Sequence, residues 1–518
     1  MELTTTPFYH PILPLLCDTD EAKMALPHNP LPANRFHHPE DAEWQISEGL
    51  KYFAEIFGKK PKGMWPSEGS VSRQAAELIQ QNGIEWIATD QDVLKYSLGL
   101  KGRPTDWSLA DYELFSPWQI TFGKNKTLNM VFRDHNLSDA IGFRYSGWGA
   151  VAAANDLVNI LKGIQQSIPA DKEPYLLNII LDGENAWEYF PNNGWDFLTA
   201  LYSKLSEETN IVTTTVSEYI KKYPPKNILP ELFSGSWIDH NFFVWIGYEK
   251  ANKAWSYLKE TRDALKNASD LLERNGLLKA KTIQENIAKA WQEIHIAEGS
   301  DWFWWYSDFH SSALDLEFDK QFRQHLQNVY ALLKLDAPEH LSEPLAVMPT
   351  FKAWQPATSF ISPGLVGDPD HWQGAGIYDP ELEPAGTMAQ VAHKVIKKIF
   401  VGRNDDHLYL RIDPDRLDHP DHSYTIYIDN RYEVWIHPSN HHFIARFFRK
   451  ERSGQRIPLE NSLHFHADRF FELMIPLANL AFPKEQTAIS IKVCLSEENQ
   501  LLEQWPAQDL IRFELRAE

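Results

Sequence analysis

Residues Tyr175–Glu188, YLLNIILDGENAWE, constrain the fold of this chain more than any other stretch. Leu176, Leu177, Ile179, Ile180 and Leu181 make a run of buried-type residues that leads directly into Asp182-Gly183-Glu184-Asn185. An unbroken apolar run reads as a strand covered on both faces, the pattern of a parallel sheet with helices above and below. It puts carboxylates at the C-terminal end of a strand, where α/β barrels place their chemistry because the strand fixes the side chain and the loop after it shapes a site. Taken alone, Asp182 is more simply the cap of a helix begun by Ala186-Trp187. A second carboxylate at another strand end shifts that balance.

Gly63–Ser72, GMWPSEGSVS, supplies it. Met64-Trp65 is a short apolar lead into Pro66-Ser67-Glu68, and Ser70 and Ser72 precede the helical pattern Ala75-Ala76-Leu78-Ile79, so Glu68 also falls at a strand-to-helix junction. Two junction carboxylates suit glycoside hydrolysis, in which one group attacks or stabilises the anomeric carbon and the other carries a proton to the leaving oxygen.

With ELTTTPFYHPILPLL ahead of them and SDWFWWYSDFHSS behind, GMWPSEGSVS and LDGENAWEYF resemble glycoside hydrolase family 57 over roughly residues 1–335. The resemblance implies retaining chemistry on α-glucans of the starch or glycogen type, with α-1,4 and α-1,6 bonds both open, on an incomplete (β/α)7 barrel. It implies Glu68 as nucleophile and Asp182 as general acid/base, nearer the amylopullulanase-like and α-amylase-like branch than the glucanotransferases. No cofactor and no metal are implied. Retention further requires the two carboxyls to lie about 5–5.5 Å apart. The family's earlier His-Gln-Pro strand has no counterpart after Met1, so either the sequence is a fragment or late-start form or the first barrel strand is lacking; the alternative functions are a catalytically silent glucan-binding or regulatory protein and an α-glucan transglycosylase of the 4-α-glucanotransferase or branching type. Ser307 and Phe309 stand where the family motif often has Gly and an acidic residue, a departure that bears on substrate preference.

Charge excludes some partners. Lys+Arg 50 against Asp+Glu 71 gives −21, which disfavours nucleic acid and anionic membranes and is indifferent to neutral glucans. Nineteen Trp and nineteen Tyr offer flat faces for sugar rings. Cys17 and Cys494 are the two cysteines and form no disulfide framework, and with no signal peptide or long apolar run the expected location is the cytoplasm. No CxxC, HExxH or Gly-rich phosphate loop supports nucleotide or zinc chemistry.

Along the chain, Glu2–Thr6 reads as a strand ending at Pro7-Phe8-Tyr9-His10-Pro11, which makes Tyr9 and His10 candidates for sugar contact. Pro39–Phe57 has helical spacing closed by Gly58, and Glu85–Asp90 and Leu128–Phe132 read as strands. The latter delivers Arg133-Asp134-His135, with Arg133 expected beside Glu68 and Asp134 or His135 on sugar hydroxyls, unless Arg133 and Asp134 form a structural ion pair. Trp65 and Trp148 are expected sugar platforms, Glu184 a substrate contact, and Ile211–Thr215 the last barrel strand by its β-branched content. Pro224, Pro225 and Pro230 mark the exit from the barrel. Trp237 and Asp239, in GSWIDH, add an aromatic and an acid. Three helical patterns follow, Lys250–Leu265, Asn267–Asn275 and Thr282–Glu298. In the aromatic run after them Trp302, Asp308 and His310 are expected to line a cleft, because so many adjacent aromatics cannot all face one core.

The organisation read from these patterns is α/β: a barrel over 1–230, a helical segment over 231–336, and from 345 to 518 period-two strands indicating a β-sandwich that either binds glucan or braces the barrel.

Overall fold

The computed structural model describes residues 1–100, 110–123, 126–168, 174–183, 187–307, 314–345, 353–359, 372–380, 394–415, 422–429, 431–439, 442–451, 455–459, 463–482, 486–497, 500–506 and 510–515. They fall into two compact units, Met1–Met348 and Pro349–Glu518. No described helix is long and apolar enough to cross a membrane.

The first unit is built on a sheet of β1 (Gly63–Met64), β2 (Trp86–Asp90), β3 (Trp118–Thr121), β4 (Thr127–Arg133) and β5 (Asn227–Ile228), in the order β1-β2-β4-β3-β5. β1, β2 and β4 run parallel, so Met64, Asp90 and Arg133 deliver their following loops to one edge of the sheet. β3 is antiparallel to β4 and parallel to β5. All five residues of β2 are buried, as a strand covered on both faces requires. The Pro39–Phe57 helix lays Ala42, Ile46, Leu50 and Phe53 on the core and stops at Gly58, whose φ of 69° closes the helix in the left-handed region.

Several expected elements differ. Glu2–Thr6 contributes a single parallel bridge, Thr5 to Met64. Leu176–Leu181 is extended but not a ladder strand: β3 pairs with residues 127–130 of β4, which leaves the later segment only the C-terminal tip, where the Asp134 N–H donates to the Asn178 carbonyl at 3.1 Å. Ile211–Thr215 is irregular, with Val212 81 % exposed, because the place beside β3 is taken by β5. Thr215 instead caps the Val216–Lys222 helix in a capping box with Glu218. The Pro224–Pro230 stretch therefore contains a sheet strand rather than an exit from the sheet. Lys250–Leu265 and Asn267–Asn275 form one continuous helix, Glu249–Arg274, since no Gly or Pro interrupts them. Trp255, Leu258, Ile294 and Phe322 from the helical segment share one buried cluster with Met64 and Ile87 from the sheet.

The second unit consists of two antiparallel sheets. One runs Arg456–Pro458, His442–Lys450, Tyr432–Ser439, His422–Ile428, Ala488–Glu497, Gln500–Trp505, with Ile511–Glu514 also on the fifth of these. The other runs His464–Ala467, Phe471–Pro476, His407–Pro414, Ile396–Arg403, Gly376–Tyr378, Trp354–Gln355. Their alternate residues, among them Ile399, Leu410, Ile426 and Ile491, fill one core, and Tyr424 meets Phe471 across it at 4.8 Å.

Candidate active site

Glu68 sits in the turn after β1 with φ 58° and ψ 25°, a left-handed conformation that is costly for a side-chain-bearing residue. Among the described residues, four of the eight non-glycine residues of positive φ gather on the loops of this site: His10, Glu68, Asp239 and His240. The turn is held from several sides. Thr89 Oγ1 on β2 donates to the Gly69 carbonyl at 2.6 Å, Val71 and Gly235 form an antiparallel bridge, and the Trp237 N–H donates to the Glu68 carbonyl at 3.1 Å. Gly69 has φ 58°, and a Cβ there would stand 2.7 Å from the Trp65 ring, so the glycine is required twice over.

These contacts aim the Glu68 carboxylate. The Trp237 indole N–H donates to Oε2 at 2.7 Å, and His10 Nε2 stands 4.0 Å from Oε1. His10 is itself fixed by Ser300, whose Oγ meets Nδ1 at 2.9 Å and whose N–H donates to the His10 carbonyl at 3.1 Å. Trp65 packs edge-on against Trp237 at 5.4 Å.

Arg133 occupies a different place from the one expected. Its guanidinium lies over the Trp237 ring at 5.3 Å, so an indole, not a direct ion pair, connects it to Glu68. Only 5 % exposed, Arg133 pairs with Asp139, approaches Asp90 at 4.0 Å and donates from Nε to the Ile180 carbonyl at 3.0 Å. That last bond and the Ser138 Oγ on the Ile180 N–H (3.2 Å) tie down the segment that ends in half-buried Asp182. The turn after β1 that carries Glu68 and the extended segment that ends in Asp182 are thus linked through Trp237 and Arg133. Asp134 caps the helix that follows β4, accepting from the Leu137 N–H at 2.8 Å.

Beneath Arg133, Asp90 is 1 % exposed and meets His135 Nε2 at 2.6 Å. Burial pushes the Asp90 carboxyl up against the pull of His135, while the same pairing outweighs burial at His135 and holds its imidazole above the ordinary value. The His240 hydrogen bond lowers Asp92. Asp90, Asp92 and His135 have donor atoms within 4.8 Å of one another, as do Asp41, His295 and Glu298. A guanidinium stands in each set, Arg133 by Asp90 and Arg262 on Asp41, and its charge opposes a divalent cation there.

Other expected site residues lie elsewhere. Tyr9 donates its N–H to Gln45 Oε1 at 3.0 Å and stacks toward Trp44. Trp148 packs with Tyr145 at 5.3 Å under Arg144, in a cluster with Phe190 and Phe197. Asp239 is exposed on the Trp237 loop. Trp302 donates its indole N–H to the Ile296 carbonyl at 2.8 Å and packs on Phe318 and Phe322. The neighbouring aromatics up to residue 306 also find packing partners: Phe303 stacks on Trp255 at 4.3 Å, Trp304 meets Trp245, half-buried Trp305 stacks on Phe318, and Tyr306 is bonded to Asp319. Adjacent aromatics on the short Ser300–Trp304 helix radiate into different neighbours, which is how all of them find packing. Glu184, Asp308 and His310 lie outside the described residues. Sequence reasoning missed Ser300 as the holder of His10 and the Asp90–His135 pair. Only Asp90, at a strand end, carried a signal.

Residues 1–231 match the family model described as glycosyl hydrolase family 57. A Methanocaldococcus jannaschii protein named "Putative alpha-amylase" is 24 % identical over 279 residues, covering 49 % of this chain and 54 % of that protein. "Alpha-amylase 1" of Dictyoglomus thermophilum is 31 % identical over 101 residues, 20 % of this chain and 12 % of that protein. The chain thus spans about half the length of the first relative and about an eighth of the second. Among solved structures, a branching enzyme from Thermococcus kodakaraensis is 16 % identical at a TM-score of 0.49, covering 64 % of this chain and 65 % of that one. A 4-alpha-glucanotransferase from Thermococcus litoralis is 14 % identical at 0.41, over 96 % and 88 %.

Proposed function

We propose that this chain, whose residues 1–231 match glycosyl hydrolase family 57, a family of glycan-active enzymes, hydrolyses α-glucans with retention, Glu68 attacking and Asp182 exchanging the proton. The observation that carries this reading is the aim of Glu68: an indole N–H holds Oε2 at 2.7 Å, and Oε1 is turned toward His10. A carboxylate fixed by one oxygen presents the other to an anomeric carbon without first losing rotamer freedom.

In the first half-reaction a Glu68 oxygen forms the bond to the anomeric carbon as the glycosidic C–O bond breaks, and the Asp182 carboxyl gives its proton to the departing oxygen. In the second, Asp182 takes a proton from water, whose oxygen displaces Glu68 from the opposite face and restores the starting configuration. His10, held by Ser300, and Trp237 support this reading as groups placed around the nucleophile. The substrates we propose are starch- or glycogen-type chains cut at α-1,4 bonds, with α-1,6 bonds as a further possibility to be read from the products.

Azide separates the two roles. With an activated α-glycoside, Glu68→Gly is expected to give the inverted β-glycosyl azide, and Asp182→Ala the retained α-azide. The opposite stereochemistry would exchange the assignments. A parent enzyme inactive on every α-glucan, with no rescue of either variant, would favour a silent glucan-binding protein.

A further inference from the structure

We propose that a cavity of about 730 Å3, lined by Tyr9, Asp41, Trp44, Arg262, Trp291 and His295 among others, is a second binding site for a short, neutral run of α-linked glucose units. The substrate class rests on the function proposed above. None of Glu68, Arg133, Asp182 or Trp237 lines this cavity.

Its walls suit a pyranose ring. Trp44 stacks face to face on His295 at 3.8 Å, Tyr9 lies near-parallel to Trp44 at 6.2 Å and Trp291 near-parallel to His295 at 6.0 Å under Arg262, so aromatic rings supply apolar lining of the kind that sugar C–H groups meet. The charged groups on the wall are already compensated. Arg262 is bonded to Asp41 and Glu40, Lys266 to Asp270 at 2.5 Å, and Glu48 to Lys51 at 2.8 Å. A wall whose charges are paired gives neither an anion nor a cation a net attraction, and hydroxyl groups are what it can match.

One polar atom on the cavity wall carries no hydrogen bond. His295, 4 % exposed, meets Glu298 Oε2 through Nδ1 at 3.2 Å, and its Nε2 has no hydrogen-bond partner among the described residues. Burial pushes the imidazole down to about 4, so it is neutral near pH 7, and with the proton on Nδ1 its Nε2 accepts from a hydroxyl. Gln45 ties the cavity to the catalytic loop: its Nε2 donates to Glu298 at 2.8 Å and its Oε1 accepts from the Tyr9 N–H. His10, the next residue, faces Glu68. A polymer held in the cavity is therefore held beside the loop that meets the nucleophile.

Trp291→Ala removes part of the wall. Ala288→Trp fills the space from an exposed lining position without deleting any packing. In native gels containing amylopectin, each full-length variant is expected to lose retardation about threefold to tenfold relative to the parent, the range of one aromatic contact. The kcat/KM on 4-nitrophenyl α-maltoside is expected to stay within about twofold. Unchanged retardation in Ala288→Trp would overturn the proposal even if Trp291→Ala failed to fold. A parallel fall in kcat/KM on the short maltoside would make the cavity part of the catalytic cleft and overturn it as a second site. If the parent turns over maltoside while the variants bind polymer normally, this inference alone fails. If the parent neither turns over nor binds any α-glucan, the functional reading fails and takes this one with it.

Discussion

Trp237 is the residue on which the geometry of Glu68 depends. Its backbone N–H holds the Glu68 carbonyl and its indole N–H holds the carboxylate, so main chain and side chain of the proposed nucleophile are fixed by one partner. Trp237→Phe keeps the packing against Trp65 and the face presented to Arg133 while deleting the 2.7 Å bond. Hydrogen bonds to charged groups contribute about 1.5–3 kcal/mol, so kcat is expected to fall roughly tenfold to a hundredfold with little change in thermal midpoint. Full activity in Trp237→Phe would show that the bond does not orient the nucleophile. Ser67, Ser70 and Ser72, all fully buried around the turn, belong to the same local framework, with Ser72 capping the next helix at Ala75.

Among the elements, the packing of the Pro39–Phe57, Glu249–Arg274 and Lys281–Ala297 helices encloses a group of charges whose titration has a definite sign. Burial raises Asp41 from 3.8 to about 7, with the Glu298 charge adding and Arg262 opposing, and burial raises Glu298 from 4.5 to about 7. The folded state holds these protons more tightly than the unfolded chain, so their stabilisation is present below pH 4 and is lost as pH rises through about 7. His295, lowered from 6.5 to about 4, works in the opposite sense across that interval and offsets part of the loss. His38, lowered by burial and Arg262, and Glu40 also face the group. Glu298→Gln removes one of the two raised carboxyls and relieves the other. The thermal midpoint of the parent, followed by near-UV circular dichroism, is therefore expected to fall more steeply between pH 5 and pH 8 than that of Glu298→Gln. Parallel slopes would refute the assignment. At the sheet, Gly63 begins β1 because the Trp86 ring lies 2.2 Å from where a Cβ would stand, which fixes the start of the strand that carries Glu68.

At the scale of the molecule, every group named around Glu68 and in the aromatic cavity lies within Met1–Met348, while the apolar core of the second unit draws its residues from 353 onward. A chain ending at residue 348 is therefore expected to keep the kcat of the full protein on a short α-glucoside to within about threefold. Residues 349–518 alone are expected to give a cooperative β-type unfolding transition by circular dichroism. Loss of all turnover on truncation would mean that the second unit completes the site. A non-cooperative transition for the isolated piece would mean that its core is insufficient by itself.

What the sequence determined without help was local. The 3.6-residue spacing of Pro39–Phe57, the Gly58 stop and the alternation in residues 408–412 and 424–428 identified helices and strands, because side-chain period follows directly from backbone geometry. Glu68 and Asp182 were legible as candidates because each stands where an apolar run gives way to a helix start, and the quoted motifs placed them in a family. Tertiary structure decided what depends on competition between distant segments. Ile211–Thr215 has strand composition, yet Asn227–Ile228 occupies the place beside β3. Leu176–Leu181 is apolar enough for a strand, yet β3 covers most of β4 first. The bond from Ser300 to His10 spans 290 residues, and the indole that separates Arg133 from Glu68 arrives from a loop 169 residues beyond the nucleophile. No local pattern encodes such meetings, since each is set by which partner fills a place in the sheet or core at the lowest free energy.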